Sequence, residues 1–247
     1  MLMKGNRKRK IEVCFSPALY PYFENHQAIV VVTDILRASS AICAAFMNGA
    51  ERIIPVRTLE EAKEWKSKGY QVAAERDGIV KDFADFGNSP INFTPERVKS
   101  QHIVYSTTNG TQAVQMASSG HRVLIGAFLN LSALCDYALA SSRDVLVLCA
   151  GWKNKFNLED TLFAGAMTDQ LLKSGRYETF CDSAIASRDL WNIAKTDLYG
   201  YIDKAAQRHR LKKNGLDDVI EYCLTSDLTR IIPVLKNDYL IKLKGFK

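Results

Sequence analysis

The chain has 247 residues, 47% of them hydrophobic and 24% charged, with a formal net charge of +6. That balance suits one large domain that buries a full core, here read as residues 1–247, and no apolar run approaches the length of a membrane span. Basic residues are dispersed apart from the N-terminal tail and 208–213, with no aromatic-interleaved basic stripe, so neither nucleic acid nor a membrane is an expected partner.

The start, MLMKGNRKRK, leads into IEVCFSPALYPYF, which Glu12 and Pro17 interrupt. It offers no clean apolar signal region, and residues 1–10 read as a flexible tail. Strands are expected at 11–16, 28–34, 52–56, 71–75, 102–107, 122–127 and 144–150. These runs are rich in Val and Ile and several are apolar on both faces, as in a buried parallel or mixed sheet. Helical patterns lie between them at Ala38 to Asn48, Leu59 to Lys68, Thr111 to Ser118 and Leu131 to Ala140. Gly49, Gly69 and Gly120 follow helices, where a left-handed cap is wanted, and Thr58 with Glu61 makes a capping box. Beyond Glu159 the chain reads as mostly helical to about Tyr222, then gives a short apolar piece from Arg230 to Leu235 and a last strand at 239–243. Alternating strands and helices predict a layered α/β fold with a helix-rich C-terminal part. The six cysteines show neither C-x-x-C nor zinc-finger spacing, so a reducing compartment, the cytoplasm, is expected.

Ligands of open α/β sheets bind beyond the carboxyl ends of strands, and polar residues gather at those positions here. Asp34 and Arg37 follow the second strand. A carboxylate there needs a partner or a metal. The pair reads either as an ion pair with helix capping or as a Mg²⁺ ligand beside a phosphate-binding guanidinium. Glu75-Arg76 repeats the pairing, with a surface salt bridge as the plainer reading. Thr107-Thr108-Asn109-Gly110-Thr111 suits either an anion cradle or ordinary capping. Gly151 follows another strand. Glu159-Asp160 opens a helix, where acids favour the dipole or could complete a metal site. Asn88 lies in a turn-like loop and could reach a substrate. The four histidines form no ligand pattern.

The segments VVTDILRAS (31–39), FGNSP (86–90), STTNGT (106–111), GAFLN (126–130), CAG (149–151) and LEDT (158–161) occur in this order. Together they resemble the 2-phosphosulfolactate phosphatase family. The resemblance implies a three-layer α/β/α fold and Mg²⁺-dependent hydrolysis of a phosphate monoester on a small sulfonated or carboxylated hydroxy acid. In methanogens that step belongs to coenzyme M biosynthesis. On this reading Asp34, with one or more of Glu75, Glu159 and Asp160, holds Mg²⁺. Asp34, Arg37 and Glu75 are the catalytic candidates. Arg37, Arg76, Asn88, Thr107, Thr108, Asn109, Gly110 and Gly151 are the substrate-binding ones. Trp152-Lys153-Asn154-Lys155 stands where smaller residues are expected, so this loop bears on substrate choice. The alternative is a non-catalytic binding protein for a small phosphorylated or sulfonated acid. A homo-oligomer is left open.

Overall fold

The computed structural model describes residues 8–245. Strand β1 (Arg9–Cys14) is followed by β2 (Ile29–Thr33), α1 (Ala38–Met47), β3 (Arg52–Pro55), α2 (Leu59–Ser67), β4 (Gln71–Arg76) and the short β5 (Ile79–Val80). Then come α3 (Pro95–Val98), β6 (His102–Ser106), α4 (Gly110–Met116), β7 (Arg122–Gly126), α5 (Leu131–Ser141) and β8 (Val145–Cys149). The last third holds α6 (Leu158–Lys173), β9 (Tyr177–Glu178), α7 (Asp182–Ala194), α8 (Leu198–Ile202), α9 (Ala206–Lys213), α10 (Ile220–Leu224), β10 (Pro233–Lys236) and β11 (Tyr239–Lys242).

The α/β class and the mixed sheet agree with the sequence pattern. Residues 1–7 of the expected tail lie outside the described residues, but Arg9 and Lys10 belong to β1, where they pair with Tyr177 and Glu178. Strand β9, the partner in that pairing, was not visible in a stretch read as helical. The Thr58–Glu61 capping box forms, with Glu61 N donating to Thr58 Oγ1 at 3.1 Å. Gly49 and Gly69 adopt positive φ as expected, whereas Gly120 has φ −64°, because a turn of 3-10 helix at Ala117–Ser119 ends α4 instead.

The sheet has 11 strands in the order β5-β4-β6-β3-β11-β10-β7-β2-β8-β1-β9. It consists of two parallel groups. In one, β3, β4 and β6 run together, and in the other β1, β2, β7, β8 and β9 do. The antiparallel hairpin β10–β11 lies between the groups and is laddered to each through a single residue pair, Val234 with Leu124 and Leu240 with Ile53. The sequence pattern gave no hint of this insertion.

Strands β2 and β8 are buried along their whole length, which explains why they read as unbroken apolar runs. One face of the larger group, with Ile29, Val31, Val145 and Val147, packs under α5 and α6. The other face, with Val30 and Val32, shares a core with Ile53, Ile103 and Tyr105 of the smaller group around Ile42 and Phe46 of α1. Both groups therefore wrap α1. Twist of the sheet brings their carboxyl ends together, although the hairpin reverses strand direction between them.

Candidate active site

The ends of β2, β4 and β8, the turn before α4 and the first turn of α6 meet around a cavity of about 20 Å³. Its lining includes Asp34, Arg37, Glu75, Asn88, Asn109, Gly151 and Glu159. These come from both strand groups, so the convergence depends on the curl of the sheet and not on one common edge. Gly110 lies against the same place. A Cβ there would sit 3.1 Å from Asp34 Oδ2 and 3.1 Å from Ala38 Cβ, so a side chain would crowd the carboxylate.

The turn after β2 is held by its own polar groups. Asp34 N donates to Ser39 Oγ at 2.8 Å, Ser39 N returns a bond to Asp34 O, and Ser40 Oγ donates to Ile35 O. Asp160 ties this turn to the one after β8. Its Oδ1 accepts from Ile35 N at 2.8 Å and its Oδ2 from Gly151 N at 3.1 Å. Glu75 does the same on the other side. Its oxygens accept from Thr108 N at 2.9 Å and from Gly78 N at 2.6 Å. Thus Glu75 and Asp160 have their lone pairs largely committed to the backbone.

Asp34 and Glu159 are less committed. Asp34 Oδ1 accepts only a long bond, 3.4 Å, from Ala38 N. Glu159 Oε1 accepts from Asn157 Nδ2, while its Oε2, buried, has no hydrogen-bond partner. Asn88 Oδ1 is also buried without one. Arg37 is 2% exposed, forms no ion pair among the described residues, and leaves Nε and Nη1 without acceptors. The Asp34–Arg37 ion pair that the sequence allowed is therefore not made. A buried guanidinium with idle donors is costly unless an anion meets it.

Burial pushes the Asp34 carboxyl well above the usual carboxylate range, and the charges of Asp160 and Glu75 push it further. Burial raises Glu159 to about 7, with Asp34 adding to the effect. Asp160 rises to about 8 through burial and the Glu159 charge, against the backbone donors that favour its ionised form. Burial also lowers the Arg37 guanidinium. Arg37 and Arg210 offset the rise of the carboxyls only in part, because burial outweighs their charge at Asp34 and Glu159.

Among the described residues no group of three or more His, Cys, Asp or Glu is placed to hold a metal by itself. A magnesium ion does not need such a cage. It is commonly bound by one or two carboxylates, with water and substrate phosphate completing the shell. The idle oxygens of Asp34 and Glu159 fit that donor set.

The remaining expected residues lie elsewhere. Arg76 donates to Glu75 O, Ser106 Oγ and Arg57 O, and with Thr107 and Thr108 it lines a separate cavity. His209 is exposed. Sequence reasoning missed Gln207, which lines the small cavity and donates to Leu36 O at 3.0 Å across 171 positions. No local signal marks that contact.

Hairpin 152–155 covers the mouth. Lys153 N donates to Asn109 Oδ1 at 2.9 Å, Lys153 Nζ pairs with Asp77 at 2.9 Å, and the Arg210 guanidinium lies 4.3 Å from the Trp152 ring centre.

Residues 14–238 match the family model described as 2-phosphosulpholactate phosphatase. The chain belongs to that family. A relative from Caldanaerobacter subterraneus is 37% identical over 84% of this chain and 88% of its own. One from Thermotoga maritima is 37% identical over 87% and 92%, and one from Pseudothermotoga lettingae 36% over 94% and 98%. Each is named "Probable 2-phosphosulfolactate phosphatase". The family match spans β2 to β10 and so every strand that builds the site; β11 and all of β1 but Cys14 lie outside it.

Proposed function

We propose that the protein is a Mg²⁺-dependent phosphoric monoester hydrolase acting on a small sulfonated or carboxylated hydroxy acid, with 2-phosphosulfolactate giving 3-sulfolactate and phosphate. Family membership supports the reaction class. The observation that carries the site assignment is Arg37, buried with idle donors beside carboxylates that burial and mutual repulsion keep from ionising freely.

In this reading Arg37 takes the phosphoryl oxygens through its planar fork. Asn88 and Asn109 orient the ester. Asp160 and Glu75 hold the backbone turns that carry Asp34, Gly151 and Thr108. Asp34 and Glu159 would hold the metal, which when bound polarises a phosphoryl group and lowers the pKa of a water. Charge that develops on the transferring group meets Arg37 in a water-poor site, where a fixed donor is worth most. The small size of the cavity, with Leu36, Trp152 and Leu211 in its lining, and hairpin 152–155 limit access of bulk solvent. All six cysteines are free, which suits a cytoplasmic setting, and no helix among the described residues is long and apolar enough to cross a membrane. A role in coenzyme M biosynthesis is part of the same proposal.

The test is phosphate release from 2-phosphosulfolactate and 2-phospholactate, with Mg²⁺ and with EDTA, for the wild type, Asp34→Asn and Arg37→Lys. Release should require Mg²⁺, disappear in Asp34→Asn, and fall by about 10²–10³-fold in kcat for Arg37→Lys. A folded protein that binds either ester and leaves it intact in all conditions would instead be a receptor.

A further inference from the structure

A cavity of about 490 Å³ is distinct from the one that holds the carboxylates. It lies beside it, lined by Arg57, Arg76, Thr107, Thr108, Thr111, Gln112, Gln115 and Met116. Two guanidiniums face this space and no carboxylate does. Arg76 Nη2 donates to the backbone carbonyl of Arg57 at 3.2 Å, which holds its guanidinium against the strand end that carries Arg57. Arg76 is steadied further by Ser106 Oγ at 3.0 Å, and Arg57 Nε is held by Gln115 Oε1. Neither arginine forms an ion pair among the described residues, in contrast to Arg188, Arg208 and Arg230, each of which meets an aspartate. Two cations lining one cavity without a counter-charge repel, and while the Thr108 and Thr111 hydroxyls already donate to Glu75 and to Thr107 O, the Thr107 hydroxyl and the Gln112 amide add donors. Such a set favours an oxyanion.

We propose that this cavity is a second anion site, distinct from the phosphate-ester site, for a phosphorylated small organic molecule. The volume is within the range of small-molecule pockets and exceeds what one inorganic phosphate fills. Met116 offers an apolar surface for the rest of the ligand. The two cavities share a wall. Thr108, which lines the larger, donates through its N–H to Glu75, which lines the smaller. An anion on Arg57 and Arg76 therefore acts one residue from a carboxylate of the ester site.

The experiment is calorimetric titration of the whole protein, in EDTA, with methylenediphosphonate, which does not hydrolyse. The wild type, Arg57→Gln, Gln112→Glu and Arg37→Ala are compared. Arg57 and Gln112 are exposed, so both substitutions are compatible with folding, and the second brings a carboxylate into the cavity. Two classes of site are expected in the wild type. Arg57→Gln and Gln112→Glu should each weaken one class by roughly tenfold or more, the loss expected for a charge-assisted contact. Arg37→Ala should weaken only the other. Hydrolysis of the phosphate ester by Arg57→Gln and Gln112→Glu, without diphosphonate, should stay within about twofold of wild type, since neither lines the ester site. A single class of site indifferent to Arg57 and Gln112 overturns the proposal. So does a loss of hydrolysis in step with binding, which would make the cavity part of the ester site. Because binding is read without turnover, failure of the phosphatase reading leaves this result interpretable.

Discussion

At the scale of single residues, the carboxyls around Arg37 make a prediction about pH. Glu159 and Asp160 are raised in the folded protein to about 7 and about 8. In the unfolded chain they return to the ordinary carboxylate range near 4. The folded state then binds more protons than the unfolded one between those limits. The stability tied to these groups is fully present below about pH 4 and is lost as pH rises through about 7 to 8. In EDTA the melting temperature should accordingly fall between about pH 5.5 and about pH 8.5. Saturating Mg²⁺ should raise it more at the upper pH, where the carboxylates are charged and the cation replaces protons. Thermal melts at both pH values check this. An EDTA melting curve that is flat across the window, or a Mg²⁺ shift larger at low pH, would remove the carboxyl cluster from the explanation.

The same residues show what a sequence can and cannot tell. Asp34, Arg37, Glu75 and Glu159 were legible because each ends or follows a strand or opens a helix, and topology sends such positions to one region. The commitments of their lone pairs were not legible. Glu75 and Asp160 are near neighbours in character to Asp34 and Glu159, yet backbone donors from Gly78, Thr108, Ile35 and Gly151 occupy them. Gly78 lies in the turn directly after Glu75, but Thr108 and Ile35 come from remote turns, 33 and 125 positions away, that nothing near residue 75 or 160 announces. Arg76 was equally opaque, since its direction is set by carbonyls and a hydroxyl brought together only in the fold.

At the scale of elements, the turn after β8 carries an argument about Gly151. It has φ +62°, and a Cβ added there would collide with the backbone carbonyl of Lys155. Gly151→Ala must therefore strain the turn and push hairpin 152–155 outward. The left-handed conformation alone costs about 1–2 kcal/mol for a residue with a Cβ. Since Gly151 N also holds Asp160, activity should drop by more than this stability loss explains. Urea denaturation together with phosphate release separates the two effects. Equal activity per folded molecule would show that the turn serves packing alone. Helices and strands were mostly placed correctly from sequence because apolar period and caps are local. The α9 contribution through Gln207 was hidden, because the partner of that side chain is 171 positions away.

For the whole molecule, the hairpin β10–β11 decides cohesion. Leu240 is fully buried, pairs with Ile53 and belongs to the core that both strand groups share around α1. Leu240→Ala should cost about 2–5 kcal/mol, as large-to-small core changes do. The loss should be seen in urea unfolding with the whole molecule reporting it, because the contact joins both groups. A change below about 0.5 kcal/mol, the scale of an ordinary surface substitution, would mean that each group is stable by itself. The sequence showed residues 239–243 as a strand but not its neighbours. Pairing partners so far apart along the chain leave no periodic trace.

The position of that hairpin also bears on how the molecule is made. A ribosome delivers both strand groups before it delivers residues 233–242. Until then β3 and β7 have no partner on the sides that the hairpin will occupy, and open strand edges invite pairing with other chains. The nascent protein therefore carries two open edges from the completion of β7 until residues 233–242 arrive to close both at once.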